Sequence, residues 1–301
     1  MSKTMLKLMI QGVLLALLTT GTVQAATRCL PDDASLPATW TKNYPAHRII
    51  GNLYAVGGAD LASFLITTDA GLILVNTGLE DSTEDLRTNM ETLGFKLEDI
   101  KLLLTTQAHF DHVAAFAEIQ AMTGAPMWAT APDAPILKDG GTSDPHFGHC
   151  LEFRFKPIQV DRILADDETF TLGNTTIRTH LHPGHTEGSA SYSFAVREND
   201  RDYQVLIANM GSINDGKKLL INPTYPVVAS DFATTYRKQL DMDIDVWVAS
   251  HASQYGRDKK YQPGQAYDPD RFVDPDGFKL AVERLRQIFF EQLRAEIMGS
   301  D

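Results

Sequence analysis

Short apolar runs that end at histidines limit this sequence more than any other feature. Residues 100–105 lead into Thr106-Gln107-Ala108-His109-Phe110-Asp111-His112, residues 175–181 into His182-Pro183-Gly184-His185, and residues 246–249 into Ser250-His251. The brief apolar runs at 100–105 and 246–249 are typical of buried strands, which need layers packed above and below them, and 175–181 reads as a further strand. Residues 62–68 and 72–76 add a hairpin around Asp69-Ala70-Gly71, and residues 189–196 and 203–208 read as further strands. Segments with helical spacing lie between. Ser82 or Thr83 can cap a helix that stops near Gly94, residues 113–122 end at Gly124, and residues 231–240 form another. Residues 278–298 form a closing helix, with Leu280, Leu285, Ile288, Phe289, Leu293 and Ile297 making much of its apolar face. The order predicts an α/β fold, with mixed sheets covered by helices on their outer faces.

The chemistry has to come from the nine histidines. Four of them, His109, His112, His185 and His251, follow the end of a strand, where side chains can converge on one rim of a sheet. In an extended turn Gln107, His109 and Asp111 can point together while His112 turns aside, so two groups of ligands arise from six residues. Imidazole and carboxylate donors suit zinc, whose catalytic sites keep one position open. His47, His146, His149, His180 and His182 lack such grouping and are expected to be structural. His182 is the most tempting of these, three residues before His185.

Residues 1–25 are set apart from the fold. Lys3 and Lys7 precede an apolar stretch over 8–18, and Val23-Gln24-Ala25 supplies a small-residue cleavage site before Ala26, the pattern of a secretory signal peptide. An N-terminal anchor helix is the alternative, although the stretch is short of the ~20 residues that span a bilayer. The expectation is an exported, periplasmic chain in which residues 26–301 form one domain, with no membrane attachment after cleavage. A net charge of −12 and the lack of a basic tract exclude a general nucleic-acid binder. The two cysteines, Cys29 and Cys150, are open to either reading, one disulfide or two buried thiols, and no CxxC supports a thiolate zinc site.

The segments QAHFDH, PGHTEGS and ASHASQYG, in that order, resemble the metallo-β-lactamase superfamily with its HxHxDH signature. Export and spacing resemble its subclass B3, and glutamine in place of the first histidine resembles the GOB-type branch. The resemblance implies an αββα sandwich of two mixed sheets. It also implies a first zinc on Gln107, His109 and His185, and a second on Asp111, His112 and His251. Asp111, His109 and His112 then become the catalytic centre. An amide oxygen is a weaker zinc donor than imidazole, so the Asp111/His112/His251 site is expected to fill first, and one or two zinc ions to serve. The family implies hydrolysis of a small β-lactam, extending to carbapenems, by a metal-activated water, and hence antibiotic resistance. Subclass B3 enzymes place serines after the strand at 203–208; here Asn209, Met210 and Ser212 stand there as candidate substrate contacts. Lactone- and thioester-cleaving relatives place a metal-bridging aspartate in that stretch, and Asn209-Met210 offers none. A non-catalytic metal-binding member is the remaining alternative.

Overall fold

The protein was analysed as a computed structural model that describes residues 26–31 and 34–299. The signal sequence expected at residues 1–25 lies outside the described residues. Strands β1 (His47–Ile50), β2 (Leu53–Ala55), β3 (Phe64–Thr68), β4 (Gly71–Val75), β5 (Ile100–Leu104), β6 (Met127–Thr130) and β7 (Val160–Leu164) form one sheet in that order. The first four strands run antiparallel to their neighbours, and β4 to β7 are parallel. Strands β8 (Thr169–Leu172), β9 (Thr175–Leu181), β10 (Ala190–Glu198), β11 (Arg201–Ala208) and β12 (Val246–Ala249) form the second, in the order β12-β11-β10-β9-β8. Only β11 and β12 are parallel there.

Side-chain alternation divides the first sheet between two cores. Phe64, Ile66, Ile73, Val75, Leu102 and Leu104 face the second sheet, in one cluster with Ile177, Tyr192 and Val205. Leu65, Leu72, Leu74 and Leu103 face the other way, onto helices α1 (Thr83–Thr92), α3 (Phe116–Thr123) and α4 (Asp133–Lys138), through Leu86, Met90, Phe116, Ile119 and Leu137. The remaining helices are the single turns α2 (Phe110–Val113) and α6 (Arg257–Lys260), and α5 (Val228–Asp241) and α7 (Pro275–Met298). The second sheet is covered by α5 and α7. Trp247 of β12 meets Phe278 of α7 at 5.6 Å between ring centroids, and Phe289 of α7 meets Tyr236 of α5 at 5.7 Å. The layers are therefore helix, sheet, sheet, helix.

The hairpin, the buried strands and the closing helix lie where the sequence places them. Three local expectations change. The helix expected over 113–122 is two pieces, α2 and α3, and it does end at Gly124, whose φ of 66° is left-handed. Neither Ser82 nor Thr83 caps α1 with its side chain, because a 3-10 turn at Glu80–Ser82 delivers the chain already coiled. Along α7 the buried positions are Phe278, Val282 and Phe289, while Leu280, Ile288 and Ile297 of the expected apolar face are exposed. The apolar residues there go more than halfway round the helix, and only one stripe meets α5. Among the described residues no helix is long and apolar enough to cross a membrane.

Cys29 and Cys150 are joined as a disulfide, and Thr27 pairs with Cys150 beside it, so the N-terminal segment is fastened to the loop that follows α4. The bridge spans 121 residues of sequence. Its loss should destabilise the fold by about 2–4 kcal/mol. Urea unfolding with and without a thiol reductant, or of Cys29→Ser, should show the midpoint falling, and an unmoved midpoint would contradict this.

Candidate metal centre

The residues leaving β5 are fixed before any functional side chain is reached. Asn76, directly after β4, adopts a left-handed φ of 63°, which asparagine tolerates better than most residues. Its buried amide oxygen accepts from Thr106 N at 2.9 Å and Thr105 Oγ1 at 3.1 Å, and its Nδ2 donates to Thr106 Oγ1 at 3.0 Å. Thr106 Oγ1 in turn lies 2.7 Å from Ser250 Oγ, next to His251. From the second sheet, Tyr192 donates its hydroxyl to Thr105 O at 2.8 Å, and Asn209 its amide to Thr106 O at 3.1 Å. The ends of β4, β5 and β12 are thus tied together, and the turn from 105 to 112 hangs from that knot.

Asp111 and His112 on α2 meet His251 at the end of β12. Their ligand atoms lie within 4.8 Å of one another. Asp111 Oδ2 is 3.2 Å from His112 Nε2 and 3.5 Å from His251 Nε2. On the far side of His251, Nδ1 is 3.1 Å from Asp60 Oδ2, which fixes the ring with Nε2 turned to the cluster. His112 is fully buried and neither ring nitrogen has a hydrogen-bond partner. Leaving buried nitrogens unmet is costly, and a cation among these donors would satisfy the one facing Asp111. The donor set, two imidazoles and one carboxylate, fits a divalent metal ion.

A second group stands beside the first. His109 Nδ1 is 3.1 Å from His185 Nε2, with the rings edge to face. The outer nitrogens are held as well: His109 Nε2 lies 3.2 Å from Asp144 Oδ2, and His185 Nδ1 donates to Ser212 O at 2.7 Å. Gln107 is buried, and its side-chain oxygen has no hydrogen-bond partner. The loop carrying His185 is gripped from both flanks. Lys217 donates to the carbonyls of Gly184 and His185, at 3.2 Å and 2.6 Å, and Asp133 accepts from Gly188 N and Thr186 Oγ1. A side chain at Gly188 would collide with Thr130 and Asp133, so the close approach needs glycine.

The electrostatics follow from burial and neighbours. Burial alone would raise the Asp111 carboxyl, but His112 and His251 outweigh it and hold the group ionised. Burial pushes His112 down to about 3 and His185 well below its ordinary value. His251 moves the other way, to about 9, since Asp111 and Asp60 overcome its burial. Burial also lowers Lys217 to about 8 and raises Asp133 to about 6.

His182 lies outside the centre: it is buried, and its Nδ1 pairs with Ser191 Oγ at 2.7 Å. His47 stacks on Tyr261 with ring centroids 3.9 Å apart, and His180 pairs with Ser193. Cys29, His149 and Cys150 also come together, but the disulfide leaves no thiolate there. Of the expected substrate contacts, Asn209 and Met210 are turned inward, 1% and 3% exposed, Asn209 within the knot and Met210 within the core. Ser212 stays half-buried, with its hydroxyl 3.2 Å from His185 Nδ1. Sequence reasoning missed Asp60, Asp144, Asp133 and Lys217, which lie in no motif and gain their meaning only from the fold.

Residues 58–198 match the metallo-β-lactamase superfamily. A β-lactamase from Chitinophaga pinensis is 42% identical to the chain, covering 88% of it and 100% of that protein, with a TM-score of 0.84. This chain belongs to the metallo-β-lactamase superfamily. The crystal structure of GOB-18 from Elizabethkingia meningoseptica is similar at 38% identity, covering 89% of this chain and 99% of that one, with a TM-score of 0.84. The class B3 di-zinc enzyme LRA-12 from an Alaskan soil metagenome shares 43% identity over 88% of this chain and 100% of its own, at a TM-score of 0.83. These likenesses place the chain among the class B3 members. The probable metallo-hydrolase YqgX of Bacillus subtilis is 29% identical over 131 residues, 44% of this chain, which spans 58% of that protein's length.

His47 and His182 provide a test of the fold around the centre. Burial lowers them to about 4 and about 3. Unfolding lets each take up its proton near pH 6.5, so the unfolded chain binds more protons between that pH and the folded values. Stability of the metal-free protein should therefore fall as pH drops below about 6.5, by roughly 1.4 kcal/mol per pH unit from each imidazole, and the fall should be shallower in His182→Gln. Urea midpoints across pH 4–7 that show the same slope in both proteins would contradict this.

Proposed function

We propose that the protein is a zinc-dependent β-lactam hydrolase of subclass B3, exported through the segment 1–25 to the periplasm, where it would confer antibiotic resistance. The observation that carries the reading is the pairing of Asp111, His112 and His251 beside His109 and His185, with buried nitrogens and the Gln107 oxygen unmet. Zinc would be held by Asp111, His112 and His251, and by Gln107, His109 and His185, and when bound it supplies Lewis acidity and a water acidic enough to ionise near pH 7. Asp111, kept ionised, orients the attacking water by accepting a hydrogen bond from it. Asp60, Asp144 and Ser212 O hold the imidazoles so that the reacting groups meet with little reorganisation. The Ser212 hydroxyl is the candidate partner for the substrate carboxylate. Trp40, whose ring lies 5.7 Å from that of His251, and Phe147, 5.1 Å from that of His109, offer apolar surface to the rest of the molecule.

The likeness to YqgX, a probable metallo-hydrolase, keeps a hydrolase of another substrate class as the second reading, with a lactone or thioester as the candidate. Against it, the stretch after β11, Asn209-Met210, brings no carboxylate to the centre. The zinc-loaded protein should hydrolyse a chromogenic cephalosporin, lose the activity to a chelator and regain it with zinc. Asp111→Asn should lower kcat by about 10²–10⁴-fold. Faster turnover of a lactone or thioester would favour the second reading, and no hydrolysis of any of them would favour a metal-binding protein without catalysis.

The amide oxygen of Gln107 is neutral and a weaker donor than imidazole, so the two sets of ligands should fill unequally. Competition with a chromophoric chelator should show Asp111/His112/His251 taking its ion first, and that tight phase should be lost in His251→Ala. Two equally tight equivalents in the unaltered protein would contradict this.

A further inference from the structure

Gln107, His109 and His185 are all neutral donors, the amide being the weakest of them, and the group stands against a buried anion. Asp144 is almost completely enclosed, in the loop between α4 and β7. One carboxylate oxygen, Oδ1, accepts from the backbone N–H groups of His146 and Phe147, each at 2.7 Å. The other, Oδ2, lies 3.2 Å from His109 Nε2. The opposite nitrogen of that ring, Nδ1, is the one turned to His185. A carboxylate on Nε2 keeps the proton there, leaves the lone pair on Nδ1 and makes that lone pair more basic. Asp133, the next buried carboxylate, does not compete for this role, because Thr186 and Gly188 occupy its oxygens. His185 has no carboxylate behind it, only the carbonyl and hydroxyl of Ser212. The loop that carries Asp144 is itself held, by Gly148 N donating to Asp144 O at 2.9 Å and by the disulfide at Cys150.

We propose that Asp144 is a positioning residue that compensates for Gln107: bonded to His109 Nε2, it fixes the His109 Nδ1 lone pair on the metal side and strengthens that donor where the amide weakens the set. This rests on the reading that Gln107, His109 and His185 hold a metal ion. The compensation explains how a set with one poor ligand remains usable, and it assigns the anion a purpose that its backbone bonds alone would not need.

The test is titration of the full metal-free protein with Co2+, followed by visible absorption, for the unaltered chain, Asp144→Asn, Gln107→His and the double variant. The unaltered chain should show a tight phase followed by a weaker one. Asp144→Asn should weaken the second phase by about 10–100-fold and leave the first in place, which also verifies folding. Gln107→His should tighten the second phase, and adding it to Asp144→Asn should restore that phase towards the unaltered value. A second phase unmoved by Asp144→Asn, or both phases weakened alike, overturns the proposal alone. An unaltered chain that takes up a single equivalent even at saturating Co2+ overturns the reading of the Gln107/His109/His185 donors and the proposal with it. A measurement that needs no variant completes the test. In the zinc-loaded, ¹⁵N-labelled protein, His109 should carry its proton on Nε2 in slow exchange, and finding it on Nδ1 overturns the proposal.

Discussion

The buried amide of Asn76 does for the centre what no ligand does for itself. By bonding Thr105 and Thr106 it joins the end of β4 to the end of β5, and through the Thr106–Ser250 hydroxyl pair it reaches β12. Strands from two different sheets then deliver Asp111, His112 and His251 to one point. Buried polar groups of this kind hold a geometry through the bonds they complete, and here both threonine hydroxyls and both amide atoms of Asn76 find partners. The ligands therefore stand on the rigid end of the sandwich rather than on loops alone.

Around that knot each imidazole is aimed by a group behind it. Asp60 stands behind His251, Asp144 behind His109, and the Ser212 carbonyl behind His185. His112 alone among the four has no such support, and Asp111, its neighbour in sequence, faces its Nε2 instead. Preorganisation of this sort costs folding free energy, because imidazoles and ionised carboxylates are withdrawn from water together. The large apolar core between the sheets supplies the stabilisation that offsets it.

The sandwich was legible wherever a short apolar run was unbroken, because a strand buried on both faces is apolar at every position: Leu65 and Ile66, or Ile73 and Leu74, point to opposite cores. The grouping of His109, Asp111 and His112 was legible because it is local, and His185 and His251 because each follows a strand. The short strands β1, β2, β6, β7 and β8 escaped, since three to five residues of mixed character carry too little pattern. Asp60 escaped for a different reason: its partner His251 is 191 residues away, and an aspartate in a loop carries no mark of what it will meet. The exposure of Leu280, Ile288 and Ile297 follows from which stripe of α7 meets α5, a choice made by tertiary packing and not by the apolar period.

The central claim is that Asp111, His112 and His251 form the primary seat of a divalent ion. Anomalous diffraction at the zinc edge, from crystals grown with one equivalent of zinc, tests it most directly. The account predicts one strong peak bonded to the Asp111 carboxylate and to Nε2 of both histidines, with the Asp60 contact to His251 retained. A peak seated instead among Gln107, His109 and His185, or none near Asp111, would contradict it.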